Sequence, residues 1–118
     1  MILDDIKQKL TEINKAVYYG MADDEEYENI WDYIVFNRGK ARIGDNRTTY
    51  TDVYEIHVVC ENFVPEGKDL EVIKKVLEIK GMRLSESEGI AYDYVKKPST
   101  NTVVEMMTIT FVRARKCV

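Results

Sequence analysis

Tyr50-Thr51-Asp52-Val53-Tyr54-Glu55-Ile56-His57-Val58-Val59-Cys60-Glu61-Asn62-Phe63 is the stretch whose reading decides the fold. In an extended chain Tyr54, Ile56, Val58 and Cys60 point one way, while Val53, Glu55, His57 and Val59 point the other. A period of two among β-branched and aromatic residues marks a strand, and few strands are this long. Pro65-Glu66-Gly67 closes it, because proline cannot donate to a ladder and glycine relaxes the turn.

Upstream, Ile30 to Asn37 is again aromatic and β-branched and predicts a second strand. Between the two strands lies Arg38-Gly39-Lys40-Ala41-Arg42-Ile43-Gly44-Asp45-Asn46-Arg47-Thr48-Thr49, with two glycines and an Asp-Asn pair. It reads as a loop of mobile or functional character joining the strands into a long hairpin. Arg38, Lys40, Arg42 and Arg47 against Asp45 give it a formal charge of about +3.

Toward the N-terminus, Leu3, Ile6, Leu10, Ile13 and Val17 recur at helical spacing and predict an amphipathic helix over roughly 2–16. Val17-Tyr18-Tyr19-Gly20 then reads as a short extended segment. Asp23-Asp24-Glu25-Glu26-Tyr27-Glu28 is too acidic for a core and reads as a surface turn or short exposed helix.

Downstream, Leu70, Ile73, Val76 and Leu77 predict a second helix over about 68–79, with Gly81 as its stop. Met82-Arg83-Leu84 is short and extended, and Ser85 to Gly89 is a turn. Ile90 to Lys96 and Thr102 to Val112 are strands around a turn at 98–101. Arg113-Ala114-Arg115-Lys116-Cys117-Val118 reads as a frayed basic tail. The order α-β-β-β-α-β-β predicts an α+β fold, one mostly antiparallel sheet with two helices packed on it.

The 118 residues, 45% hydrophobic and 32% charged, suit a single folded domain and are too apolar for a disordered chain. A net charge of −4 argues against a surface that is all nucleic-acid footprint. The sequence contains no apolar run of the roughly 18 residues a membrane helix needs. The start, Met1-Ile2-Leu3-Asp4-Asp5, is acidic, unlike a secretory leader, and predicts synthesis in a cytosol. Cys60 ends a strand pattern and predicts a small buried hydrophobe, Cys117 an exposed thiol; with no secretory signal a disulfide between them is disfavoured.

The chemistry-bearing residues are sparse. His57 is the only histidine, and with two distant cysteines it makes no metal-ligand spacing. It reads as a structural or interface residue, since nothing marks a nucleophile beside it. The glycines are scattered singly and form no phosphate-cradling loop. The acidic run lacks the alternating ligands and fixed glycine of a calcium loop. No catalytic group, metal or cofactor is therefore predicted. The eight tyrosines and the arginine-rich loop suit contacts with other proteins.

Four stretches resemble the tail terminator and tail-to-head joining (tail completion) proteins of long-tailed bacteriophages and prophages. These are Trp31-Asp32-Tyr33-Ile34-Val35-Phe36-Asn37-Arg38, Tyr50-Thr51-Asp52, Glu61-Asn62-Phe63-Val64-Pro65-Glu66-Gly67, and Lys97-Pro98-Ser99-Thr100-Asn101-Thr102-Val103-Val104-Glu105-Met106. The resemblance implies a virion structural protein assembled in the bacterial cytoplasm. Such a protein forms a homo-oligomeric ring, usually a hexamer, that caps the tail tube, stops its growth and meets the head-tail connector. A ring requires two different patches that fit each other. Asp23, Asp24, Glu25, Glu26 and Glu28 on one side, and Arg38, Lys40, Arg42 and Arg47 on the other, are the expected complementary pair. The competing expectation is a small nucleic-acid-binding or regulatory module that uses loop 38–49 and the basic tail.

Overall fold

A computed structural model describes residues 2–21, 31–43, 49–97 and 99–116. Its elements run α1 (Ile2–Thr11), β1 (Val17–Tyr19), β2 (Asp32–Arg38), β3 (Arg42–Ile43), β4 (Thr49–Glu61), α2 (Lys68–Val76), β5 (Met82–Leu84), β6 (Ile90–Lys96) and β7 (Val103–Lys116). The α+β class and the two helices on a mostly antiparallel sheet agree with the sequence reading, and two short strands, β3 and β5, add to the expected order.

The sheet is built around β4 and β7, paired antiparallel from Thr49↔Lys116 to Glu61↔Val104. Strands of 13 and 14 residues give the molecule its 52 Å long axis. Each flank of this ribbon carries two shorter strands end to end. On the β4 side, β2 covers Tyr54 to Cys60 and β3 covers Tyr50 and Thr51. On the β7 side, β6 covers Val103 to Ile109 and β5 covers Phe111 to Arg113. β1 adds to β2 in the one parallel pairing among the described residues.

Directly paired residues share a face of the sheet. One face presents Ile34 and Phe36 from β2, Tyr54, Ile56, Val58 and Cys60 from β4, and Met107, Ile109 and Phe111 from β7. Both helices lie on it: Ile6 and Leu10 of α1 and Val72 and Val76 of α2 enter the same core. Lys9 to Glu78 (2.8 Å) and Lys75 to Glu12 (3.6 Å) tie the helices together at the surface.

The differences from sequence expectation have local causes. The first helix ends at Thr11 rather than near 16, because the Asn14 side chain accepts the Ala16 N–H at 2.9 Å and turns the chain. Val17, which continues the helical stripe, is the inward residue of β1 instead. The second helix stops at Val76, and Gly81 lies beyond it at φ +83°, a conformation that favours glycine. Part of the loop at 38–49 is β3; Gly44–Thr48 lie outside the described residues. At Gly39 the chain runs so close to β4 that a Cβ would meet Val53 Cγ1 at 3.0 Å, and the Gly39 N–H donates to the Val53 carbonyl at 2.7 Å.

The largest correction concerns the basic tail. Arg113–Lys116 are not frayed; they pair with Asp52, Thr51, Tyr50 and Thr49. Arg115 donates to both carboxylate oxygens of Asp52, at 2.9 Å from Nε and 3.3 Å from Nη2, and its guanidinium lies 5.0 Å above the Tyr50 ring. A forked ion pair with an aromatic platform gives these residues reasons to order that their charge alone conceals. Cys117 and Val118 lie outside the described residues.

Candidate functional site

Three regions of the sheet are candidates, positioned by the registers of β4 and β7. The first is a basic pole. Arg38 ends β2 opposite Tyr54, Lys40 follows exposed, and Arg42 enters β3 opposite Thr51. The other edge of the same β4 segment pairs with Arg113, Ala114, Arg115 and Lys116. Two basic segments more than sixty residues apart in sequence therefore meet at one end of the ribbon. Arg38 is fixed by its Nε, which donates to the Tyr19 hydroxyl at 3.1 Å, and Arg113 by its Nε on the Lys80 carbonyl at 3.2 Å. Arg47 and the acidic residues Asp23, Asp24, Glu25, Glu26 and Glu28 lie outside the described residues. Sequence reasoning joined the basic tail to the loop only in the nucleic-acid alternative, and did not place Asp52 and Tyr54 in this group. The signal was there, since Arg113 and Arg115 keep the period of two set by Ile109 and Phe111.

The second region is the free side of β6. This strand pairs only with β7, so its outer backbone edge carries no partner strand among the described residues. All but its first residue are exposed. Tyr94 is 61% exposed on the helix-side face and Val95 58% exposed on the other, with Tyr92 and Val103 also open. An unpaired edge with large apolar side chains on both faces is a template for association with another chain. The sequence showed the alternation of β6 but not that it lies at an edge.

The third region lies on the helix-free face, where β2, β4 and β7 align Asn37, Glu55, His57 and Thr108. His57 Nε2 is 2.8 Å from Asn37 Oδ1 and Nδ1 is 2.8 Å from Thr108 Oγ1, while Asn37 Nδ2 donates to Glu55 Oε1 at 2.8 Å. An amide oxygen only accepts, so Nε2 carries the proton and the neutral ring accepts the threonine hydroxyl proton at Nδ1. Burial holds the imidazole below its usual proton affinity, and the nearby Glu55 carboxylate partly opposes this. Hydroxyl, imidazole and amide are in the order of a nucleophile, its base and an orienting group. Catalysis of acyl transfer also needs donors aimed at the developing oxyanion. Here the strand N–H groups lie in the plane of the sheet, engaged in its ladders, while the side chains stand perpendicular to it. The arrangement ties side chains of three adjacent strands together and so can pin their register.

Elsewhere, Cys60 is a buried free thiol whose pKa is pushed up to about 11 by burial, so it is inert as a nucleophile at neutral pH. Among the described residues no three His, Cys, Asp or Glu side chains cluster to hold a metal, and no helix is long and apolar enough to cross a membrane. The α+β sheet with an open β6 edge and a basic pole thus defines the class as far as fold and geometry go. No protein-family model and no curated protein matches the chain.

Proposed function

We propose that this chain is a structural assembly protein of a phage or prophage tail, which forms a ring of its own copies on the end of the tail tube, halts tube growth and presents a surface to the head connector. The observation that carries this reading is the open edge of β6, with Tyr92, Tyr94 and Val95 exposed along it. A monomer with no further partner has no use for an unprotected apolar edge, whereas a head-to-tail ring joins such an edge to a different patch on the next copy. The order of helices and strands and the four stretches of family resemblance support the same reading.

In this account the basic pole sets register and orientation. Arg38, Lys40 and Arg42 meet the acidic segment Asp23–Glu28 of the next copy or face the tube, an electrostatic contact that speeds and aligns association more than it tightens it. Replacing the three by glutamate weakens ring formation or capping; normal assembly by the triple variant removes the loop from the account. The reading as a whole is tested by polymerising the neighbouring tube protein with and without this chain and measuring tube lengths by electron microscopy. Short, capped tubes are the expected result, and an unchanged length distribution rejects it.

One observation favours a second reading, a nucleic-acid-binding module: the basic tail joins the basic loop at one pole. Binding of that kind would fall steeply with salt, by roughly 0.9 log units of affinity per log unit of salt for each phosphate contacted, and would depend on Arg113, Arg115 and Lys116.

A further inference from the structure

Where the helix layer ends, the helix-side face of the sheet opens into a cavity of about 150 Å3. Its walls are the first turn of α1 and the side chains of Arg38, Asp52, Tyr54, Arg113 and Arg115. Three guanidinium groups against one carboxylate leave two positive charges. The Arg115 charge is met by both oxygens of Asp52. Arg38 and Arg113 are each anchored through Nε on a neutral oxygen, and neither has a carboxylate within ion-pair distance among the described residues.

The floor of the cavity holds a further donor. Tyr54, a hydroxyl-bearing side chain only 3% exposed, lines the cavity. That hydroxyl lies among Asp52, Arg113, Arg115 and Arg38, the same charged side chains that line the cavity. An acceptor seated in the cavity would take a hydrogen bond from it.

We propose that this cavity binds a phosphate dianion, free or as the end group of a phosphate monoester. Arg38 and Arg113 supply the two charges from opposite flanks of the sheet, and Tyr54 donates from the floor. A tetrahedral dianion matches donors converging from three directions and cancels the surplus charge; a carboxylate would leave one guanidinium unmatched. The volume is well below the roughly 300 Å3 at which pockets for larger ligands begin, so the rest of any ester lies outside. The first turn of α1, at Ile2 and Leu3, adds backbone N–H groups that have no acceptor within the helix. The site stands apart from the ring reading and does not depend on it.

The test is calorimetric titration of the intact protein with inorganic phosphate and with glycerol 1-phosphate, ionic strength being held by chloride. Saturable one-to-one binding is expected, weakened about tenfold or more by R38Q and by R113Q and several-fold by Y54F, since each removes a hydrogen bond to a charged group. Dimethyl phosphate, with one charge, is expected to bind at least tenfold more weakly than either. Equal affinity for the two dianions assigns the site to a phosphate end group, and preference for inorganic phosphate assigns it to the free ion; both sustain the proposal. Circular dichroism checks each variant, and R38Q, at an exposed strand end, keeps the test valid if R113Q or Y54F fails to fold. No saturable binding, or affinity unchanged in R38Q, overturns it.

Discussion

The two halves of the β4–β7 ribbon share strands, register and face, yet they differ in what covers them. Under the helices, the face reads Ile56, Val58, Met107, Ile109 and Phe111, all buried. Beyond the N-terminus of α1 the same face continues as Tyr50, Asp52, Arg113 and Arg115, partly exposed and linked by charge. Backbone pairing is equally regular in both halves. A strand is therefore set by its ladder and its alternation, while the chemistry of its side chains reports the layer above it. Polar residues in a strand pattern mark the place where the cover stops.

Substitutions in the two halves should differ accordingly. Phe111→Ala, at the fully buried last position of the covered half before Arg113, should lower unfolding free energy by about 3–5 kcal/mol through lost burial and a cavity the fixed neighbours cannot fill. Chemical denaturation measures it, and a loss below 1 kcal/mol would mean that the helices do not seal this face.

His57→Gln comes next, with a loss of about 1–2 kcal/mol from the broken pin on the opposite face. It also carries a signature in pH. Burial keeps the folded imidazole below the 6.5 of the unfolded chain, so on acidification the unfolded state takes up the proton first. The stability this residue contributes is complete above pH 6.5 and is lost as pH falls from there through the lower folded value. Melting curves of wild type should decline across that window more than those of the glutamine variant. Parallel declines would place the titration elsewhere.

Asp52→Asn, in the uncovered half, should cost only about 1 kcal/mol, because the ion pair it breaks is half open to water. A loss rivalling that of Phe111→Ala would erase the distinction between the halves. The smallest stability change belongs to the edge: Tyr94→Lys with Val95→Lys should stay within about 0.5 kcal/mol of wild type, since both side chains are largely in solvent and a lysine at 94 keeps a donor for the Glu105 carboxylate that Tyr94 bonds.

The same contrast explains what was legible in the sequence. The covered half was plain: Tyr54, Ile56, Val58 and Cys60 announced both the strand and its buried face, and the helical stripes of α1 and α2 named the layer above. In the uncovered half Arg113 and Arg115 looked like fraying, because a charge pattern does not reveal a partner more than sixty residues away at Asp52 and Tyr50. Helix ends were misread for a related reason: Ile13 and Val17 extend the apolar stripe, but the Asn14 side chain decides where the helix stops. The open edge of β6 could not be read at all, since edge and centre strands with one alternation differ only in tertiary pairing.

We have proposed that the exposed edge of β6 joins copies of this chain into a ring at the end of a tail tube. Electron microscopy of tail tubes incubated with wild type and with the Tyr94→Lys, Val95→Lys variant tests it most directly. A terminal ring is expected on tubes with wild type, and bare, still growing ends with the folded variant. Rings of equal occupancy in both samples, or in neither, would contradict it.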